Sequence, residues 1–172
     1  NEVVSRLAKM KCSAPDFCIM WDNAYAIHDF DENGDELLDI FSEARKYGNE
    51  DRVFCFSSTS KVTFPGAGVS IMATSPSNLK FILPYISVST IGFDKLNQLK
   101  HIKFLKDAKN THSQMMKLAN IIKPKFEITL NALSQLDGLG IAKWSKPNGG
   151  YFISLDIYIT MSYRLFIFDI FL

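Results

Sequence analysis

The stretch that decides the fold is residues 57–68, Ser57-Ser58-Thr59-Ser60-Lys61-Val62-Thr63-Phe64-Pro65-Gly66-Ala67-Gly68. Apolar runs flank it on both sides, Val53-Phe54-Cys55-Phe56 before it and Val69-Ser70-Ile71-Met72-Ala73 after it. Short apolar runs bounded by turn residues are typical of buried strands in a parallel sheet. We therefore expect Lys61 at the end of a strand, between small hydroxyl residues and a Pro-Gly-x-Gly turn.

Lys61 is a candidate nucleophile. Desolvation at the end of a sheet makes a lysine amine reactive toward carbonyl groups, which is the chemistry of Schiff bases. The hydroxyls of Ser58 and Ser60, with the backbone N–H groups of the turn, suit an anion such as phosphate. The stretch alone leaves a second interpretation open, because loops at strand ends are often rich in Ser, Thr and Gly. One lysine among 19 Lys and Arg is then simply solvated.

Residues 17–25 add an acid and a phenol. The run Phe17-Cys18-Ile19-Met20-Trp21 predicts another buried strand, and Asp22 and Tyr25 follow at its end. Open α/β sheets bind ligands beyond the carboxyl ends of their strands, so both side chains can face one crevice. A carboxylate there could hold a pyridine nitrogen protonated, and a phenol could donate to a neighbouring ring oxygen. Taken singly, Asp22 could cap a helix and Tyr25 could be a core ring.

These residues together resemble the core of the fold-type I aminotransferases that use pyridoxal 5'-phosphate (PLP). The resemblance rests on Asp22-Asn23-Ala24-Tyr25, Ser58-Thr59-Ser60-Lys61 and Pro65-Gly66-Ala67-Gly68. Two further motifs are similar to a subgroup of aspartate aminotransferases, also called alanine-glyoxylate-aminotransferase-like: Thr90-Ile91-Gly92-Phe93-Asp94-Lys95-Leu96-Asn97-Gln98-Leu99 and Lys146-Pro147-Asn148-Gly149-Gly150-Tyr151-Phe152. We expect the likeness to run from the first residues to about Ile157.

The resemblance implies a role for each candidate residue. Lys61 would carry PLP covalently and move a proton at the substrate carbon. Asp22 would pair with the pyridine nitrogen and Tyr25 with the ring hydroxyl oxygen, while Ser58 and Ser60 would hold the phosphate. The cofactor supplies the electron sink, and the protein supplies orientation and charge. No metal ligand is expected.

The resemblance also implies a function and a setting. The reaction would be transamination between an amino acid, aspartate or a related acid, and a 2-oxo acid. We expect a cytoplasmic protein that forms a homodimer at full length, with neither nucleic acid nor membrane as a partner. A lyase or decarboxylase that uses PLP, and a non-catalytic truncated product, are the alternatives that the sequence leaves open.

The sequence departs from the family in several places. Most of the wider class has an arginine eight residues after the lysine, where this chain has Val69. The glycine-rich phosphate loop, the ring-stacking aromatic and the Asn-Pro-x-Gly segment have no counterpart here, and neither has the late arginine that grips the substrate carboxylate. We therefore interpret the chain as a fragment that lacks amino-terminal and carboxyl-terminal parts.

The predicted fold class is α/β, a partial PLP-dependent transferase large domain with a mostly parallel sheet and helices. A long connecting helix and part of an α+β small domain follow it. The corresponding domain boundaries are 1–92 for the large domain, 93–122 for the connecting helical segment, 123–157 for the small domain and 158–172 for an atypical apolar tail. The tail carries charges and is too short for a membrane helix of about 20 apolar residues.

The apolar periodicity and the turn residues predict the elements between these boundaries. We expect a helix at 2–11, a helix at 36–47 capped by Asp35 and ended by Gly48, and a helix that starts at Ser75 and reaches Val88. A helical pattern from Asp94, with a candidate interruption at 110–112, should be broken at Pro124. A helix at 126–136 and strands at 141–144 and 151–155 around a 146–150 turn complete the prediction.

Composition excludes some other classes. The net charge of +1 gives no basic excess for nucleic acid, and the 47% apolar fraction is that of a globular protein. Three cysteines without metal-type spacing fit a reducing compartment. No secretory signal is visible at the amino terminus.

Residues 28–35, His28-Asp29-Phe30-Asp31-Glu32-Asn33-Gly34-Asp35, briefly imitate a calcium loop. Position twelve of such a loop would be Ile40 instead of the bidentate glutamate. We therefore favour a solvated turn, with His28 as a surface or supporting group, and keep a calcium-binding segment as an open alternative.

Overall fold

The structure is a computed structural model that describes residues 1–159 and 161–167, with side chains described as far as Tyr158. Its helices are α1 (Glu2–Ala8), α2 (Ile40–Arg45), α3 (Pro76–Ser89), α4 (Lys95–Leu105) and α5 (Ala108–Ser134), and a 3-10 helix covers Glu50–Arg52. Its strands are β1 (Ile19–Asp22), β2 (Val53–Ser58), β3 (Ser70–Thr74), β4 (Ala142–Trp144), β5 (Ile153–Ile159) and β6 (Met161–Ile167). The tail prediction for residues 160 and 168–172 lies outside the described residues. Within those described ranges, no helix has the length and apolar character needed to cross a membrane.

Contacts divide the chain into two compact units. The first contains residues 1–26 and 36–106, and the second contains residues 27–35 with the described residues from Asp107 onward. The core of the first unit lies where α1 and α2 pack on β1 and β2. Its members are buried apolar side chains with two partly buried rings against them: Val4, Ala8, Ile40, Ala44, Val53, Trp21 and Phe41.

The sheet of the first unit has the strand order β1-β2-β3. Strands β1 and β2 are parallel, with Ile19 opposite Val53 and Asp22 opposite Phe56. Strand β3 pairs with β2 in the antiparallel direction. The expectation of a parallel strand after the lysine stretch is therefore wrong. The chain returns directly after the turn that carries Lys61, and such a short connection can only reverse direction.

Helix α2 begins later than predicted, because its cap is Asp39 and not Asp35. The Asp39 carboxylate accepts hydrogen bonds from the backbone N of Phe41 at 3.2 Å and of Ser42 at 3.0 Å. The Asp35 carboxylate instead accepts from the Asn148 side chain at 3.0 Å, and the helix begins only at Ile40. Two candidate caps four residues apart are hard to separate in sequence, since each precedes apolar residues.

Helix α3 has the predicted start. The Ser75 hydroxyl accepts from the backbone N of Asn78 at 3.3 Å, and Pro76 occupies the first helical position. Helix α4 ends at Leu105, and the next residue, Lys106, has a positive φ of 60°. Asp107 then caps α5, so the break precedes the candidate interruption at 110–112, which is helical.

Pro124 lies inside α5 and does not end it, contrary to the prediction. A proline removes one backbone hydrogen bond and crowds the carbonyl four residues earlier. Buried side chains on both sides of it, Met115 and Ala119 before and Phe126 after, hold the helix in place. Tertiary packing therefore outweighs the local preference here.

The second unit combines α5 with an antiparallel sheet of order β4-β5-β6. Phe126 is buried and meets the ring of Phe30 edge-on at 4.7 Å between centroids. The 146–150 turn is hydrogen-bonded to residues 28–30. Asp29 and Gly149 form an antiparallel bridge, and Gly150 N donates to the His28 carbonyl at 2.8 Å.

His28 is therefore buried, with 6% of its surface exposed, and is not a surface group. Its ring lies edge-on to Tyr151 at 5.4 Å between centroids. A β-carbon added at Gly149 would stand 2.5 Å from the His28 carbonyl oxygen. Residues 28–30 are thus packed within their unit, whereas residues 31–35 are exposed, as expected for a solvated turn.

Candidate functional site

The carboxyl ends of β1 and β2 meet at one edge of the first sheet. Beyond the last pair, Asn23 N donates to the Phe56 carbonyl at 2.7 Å, and Ser57 Oγ donates to the Asn23 carbonyl at 3.3 Å. The loops that leave the two strands are therefore tied together at their first residues. This edge is where an open α/β sheet binds its ligand.

Asp22 and Ser58 lie on the same face of that sheet. Asp22 is paired with Phe56, and paired residues of parallel strands project to the same side. Ser58 is two residues beyond Phe56, so alternation returns it to that side. The opposite face carries Val53 and Trp21, which belong to the core under α1 and α2. Asp22 and Ser58 therefore face away from that core.

The carboxylate of Asp22 is exposed at the strand end. Its Oδ1 accepts from the backbone N of Ala24 at 3.1 Å, which folds the next residues into a turn. Tyr25 lies half-buried in that turn. The acid and the phenol that the sequence singled out thus follow the same strand, separated by one tight bend.

Lys61 lies inside a short helical turn. The Thr59 carbonyl accepts from the backbone N of both Val62 and Thr63, each at 2.9 Å. Val62 is buried, with 4% of its surface exposed, whereas Lys61 is half-buried. The buried Val62 side chain anchors the turn, and Lys61 lies in the middle of that turn.

The loop around Lys61 is closed at its base. Thr59 N donates to the Val69 carbonyl at 2.9 Å, and Val69 N donates to Thr59 Oγ1 at 2.8 Å. At the same point Gly68 lies directly against Ser60. A β-carbon at residue 68 would meet Ser60 Oγ at 2.6 Å and Ser60 N at 2.9 Å, so only glycine fits there.

The two candidate phosphate-binding serines are brought together. Ser58 Oγ accepts from the backbone N of Ser60 at 3.4 Å, and both residues are half-buried. Hydroxyls and turn amides are groups that bind anions. No cationic side chain stands at Val69 to add to them.

Two polar residues of α4 that were not predicted from the sequence hold this loop. His101 Nε2 lies 2.9 Å from Thr59 Oγ1 and 3.0 Å from Thr63 Oγ1. Asn97 Nδ2 donates to the Ala67 carbonyl at 2.9 Å. A signal was present, because the two residues are four apart and therefore share one face of the helix.

The Cys55 thiol, in β2 of the same sheet, has a raised pKa to which Asp39 and Asp22 contribute. Burial is the main cause that raises the pKa of Cys55, and the carboxylates of Asp39 and Asp22 raise it further. Across the part of the chain with described side chains, no group of three or more His, Cys, Asp or Glu is arranged to hold a metal ion.

A sequence profile described as aspartate amino-transferase matches residues 1–166, so the family likeness continues past Ile157. The aspartate aminotransferase of Corynebacterium glutamicum is 43% identical over 158 residues, covering 91% of this chain and 37% of that protein.

Solved structures give the same result. An aspartate transaminase from Corynebacterium glutamicum superposes with a TM-score of 0.84 at 41% identity, covering 91% of this chain and 37% of that one. LysN, the α-aminoadipate aminotransferase of Thermus thermophilus complexed with N-(5'-phosphopyridoxyl)-L-leucine, shares the fold with a TM-score of 0.68 at 23% identity, over 91% of this chain and 38% of that one.

These findings confirm the α/β fold class and the resemblance seen in the sequence. The chain spans 37% of the length of the Corynebacterium glutamicum enzyme that it matches. The matched part includes both strand ends that carry the candidate residues. The chain belongs to the aspartate amino-transferase family.

Proposed function

We propose that this chain carries the lysine and part of the cofactor site of a PLP-dependent aminotransferase. The observation that supports it best is the shared edge and face of Asp22 and Ser58, directly followed by the turn that carries Lys61. When bound, PLP supplies an electron sink that stabilises negative charge at the substrate carbon. The remaining chemistry belongs to the protein side chains.

Lys61 is the proposed catalytic residue. Its Nζ would bind the cofactor aldehyde and later take and return the proton at the substrate Cα. A turn with its backbone fixed at Val62 and Thr63 suits this role, since the amine must work at a defined distance from the reacting carbon.

Each polar part of PLP has a candidate partner among the side chains of this site. The Asp22 carboxylate would hold the proton on the pyridine nitrogen, and the Tyr25 hydroxyl would donate to the ring oxygen. Ser58 and Ser60 would bind the phosphate together with turn N–H groups, which suits an anion even with Val69 in the arginine position.

The proposal extends to the whole protein. The whole protein transfers an amino group between aspartate, or a related acid, and a 2-oxo acid, as the name of the Corynebacterium glutamicum relative suggests. A homodimer, a cytoplasmic location and domain boundaries at 92, 122 and 157 belong to the same proposal. The thiols Cys12, Cys18 and Cys55 are unbridged, in keeping with a reducing compartment.

Reductive trapping tests the role of Lys61. The chain is incubated with PLP, reduced with borohydride, digested and mapped by mass spectrometry. We expect the phosphopyridoxyl group on the peptide that contains Lys61 in the wild type and in Lys80→Ala, a control at an exposed lysine of α3. Lys61→Ala should lose that label. Equal labelling of another lysine in all three proteins would remove the proposal.

Product analysis of the whole protein separates the transferase from a lyase. With aspartate and PLP, transamination predicts one 2-oxo acid released per active site until an acceptor acid is added. Release of carbon dioxide or free ammonia instead would assign the lyase or decarboxylase chemistry.

A further inference from the structure

His101 is a buried histidine of α4, with 7% of its surface exposed. Its Nε2 lies 2.9 Å from Thr59 Oγ1 and 3.0 Å from Thr63 Oγ1. Its Nδ1 lies 2.9 Å from the carbonyl oxygen of Asn97, one helical turn earlier. One imidazole thus joins α4 to the first and last residues of the turn that carries Lys61.

The hydrogen-bond partners assign the protons of this network. The Asn97 carbonyl can only accept, so the neutral His101 ring carries its proton on Nδ1 and leaves Nε2 as an acceptor. Thr59 Oγ1 already accepts from Val69 N at 2.8 Å, and its own proton can be donated to Nε2. The Thr63 hydroxyl donates to the Thr59 carbonyl at 3.0 Å. That hydroxyl has a single proton and also lies 3.0 Å from His101 Nε2, so it donates to only one of these two acceptors at a time.

The same helix also holds the far side of the loop. Asn97 Nδ2 lies 2.9 Å from the Ala67 carbonyl and 3.3 Å from the Gly68 carbonyl. Asp94 caps α4 by accepting from Asn97 N at 2.9 Å, which fixes the first turn of the helix. Both ends of the lysine loop are therefore attached to α4, one through Asn97 and the other through His101.

We propose that His101 is a positioning residue that fixes the backbone from which Lys61 extends. It acts through Thr59 and Thr63 and not on the reacting atoms. A hydrogen-bonded ring suits this task better than an apolar side chain, since it accepts from Thr59 and is itself oriented by Asn97. The catalytic consequence rests on the function proposed for Lys61, whereas the hold on the turn does not.

Hydrogen exchange tests the hold on the turn without any cofactor. The amides of Val62 and Thr63 are protected by the Thr59 carbonyl, so they report local opening of the turn. We expect His101→Phe to accelerate their exchange by about tenfold while amides of the β1–β2 ladder keep their rates. His101→Gln, which restores an acceptor, should recover part of the protection. His112→Phe, a control at an exposed histidine of α5, should change neither amide.

A second pair of variants covers the case in which His101→Phe fails to fold. Thr59→Val removes the hydroxyl that donates to His101 and accepts from Val69 N, and Thr59→Ser retains both contacts. The valine variant should show the faster exchange at Val62 and Thr63, and the serine variant should not.

Trapping kinetics test the consequence for the lysine. With PLP and borohydride, the rate of labelling at Lys61 should fall about tenfold in His101→Phe and recover partly in His101→Gln, because misplaced reacting groups lose rate steeply. Unchanged exchange at Val62 and Thr63 would overturn the proposal, and so would faster exchange with an unchanged labelling rate. If wild-type Lys61 takes no label at all, the proposed function fails, and the exchange rates still decide whether His101 holds the turn.

Discussion

Gly68 lies against Ser60 so closely that a β-carbon on Gly68 would stand 2.6 Å from the Ser60 hydroxyl and 2.9 Å from its backbone nitrogen. Both residues belong to the loop that carries Lys61. The contact brings the two arms of the loop together and leaves no space for a side chain. Gly68, the second glycine of the Pro-Gly-x-Gly turn, is thus required by packing. Its backbone conformation does not require glycine, because its φ is not left-handed.

Gly68→Ala should therefore destabilise the chain by about 1–3 kcal/mol, as overpacking typically does. The nearest atoms include backbone, so the clash cannot be relieved by rotating one side chain. Urea unfolding measures the change. Gly92→Ala is the matched control, because no atom lies within 4 Å of the added carbon. Equal midpoints for the two variants would show that the loop has room at Gly68.

Asp39→Ala should destabilise the first unit by about 1 kcal/mol, the usual value for losing a helix cap. The Asp39 carboxylate accepts from the backbone N of Phe41 and of Ser42, so its removal leaves both groups without that partner. Amide exchange at Ser42 and urea unfolding are the measurements. Asp35→Ala, at the residue that the sequence wrongly indicated as the cap, should leave exchange at Ser42 unchanged.

The same carboxylate gives a pH dependence. A hydrogen bond from the Ser42 hydroxyl is the main cause that lowers the pKa of Asp39. A lowered pKa in the folded state means that this stabilisation is complete above the ordinary carboxyl value of about 4 and is lost as the pH falls below it. Wild-type stability should therefore fall more steeply below pH of about 4 than that of Asp39→Ala. Parallel curves in acid would contradict this assignment.

Cys55 should react with iodoacetamide about tenfold more slowly than the exposed Cys12 and Cys18, since the thiolate is the nucleophile. Burial first, and the Asp39 and Asp22 carboxylates after it, raise the pKa of the Cys55 thiol. Mass spectrometry of alkylated peptides gives the three rates.

Asp22→Asn removes one of those carboxylates and should accelerate alkylation of Cys55, while the rate at Cys12 stays the same. An unchanged rate at Cys55 would show that the Asp22 carboxylate does not act on β2.

Asp22→Asn should also weaken PLP binding by about tenfold or more, because a neutral amide cannot favour the protonated pyridine nitrogen as a carboxylate does. Titration followed by absorbance gives the Kd. Asp16→Asn is the control, as Asp16 is exposed and precedes β1. Equal affinities for the two variants would place the ring nitrogen elsewhere.

The strands and the start of α3 could be predicted from the sequence because their signals are local. The apolar runs before Asp22 and Ser58 and the Ser75-Pro76 cap are each contained in a few residues. The motifs also carried the family likeness, which the profile match confirmed.

Two of the misses involve partners distant in sequence. His101 reaches Thr59 across 42 positions, and residues 28–30 are hydrogen-bonded to the 146–150 turn. Pro124 stays helical because buried neighbours on α5 hold it. Periodicity and turn propensity describe neighbours along the chain, so contacts of this kind are not visible to them.

The most direct test of the central claim is a crystal structure of the chain grown with PLP. Our account predicts continuous density from Lys61 Nζ to the cofactor, with the Asp22 carboxylate within about 2.6–3.2 Å of the pyridine nitrogen. Ser58 and Ser60 should contact the phosphate. Cofactor bound to a different lysine, or a pyridine nitrogen that faces away from Asp22, would contradict the account.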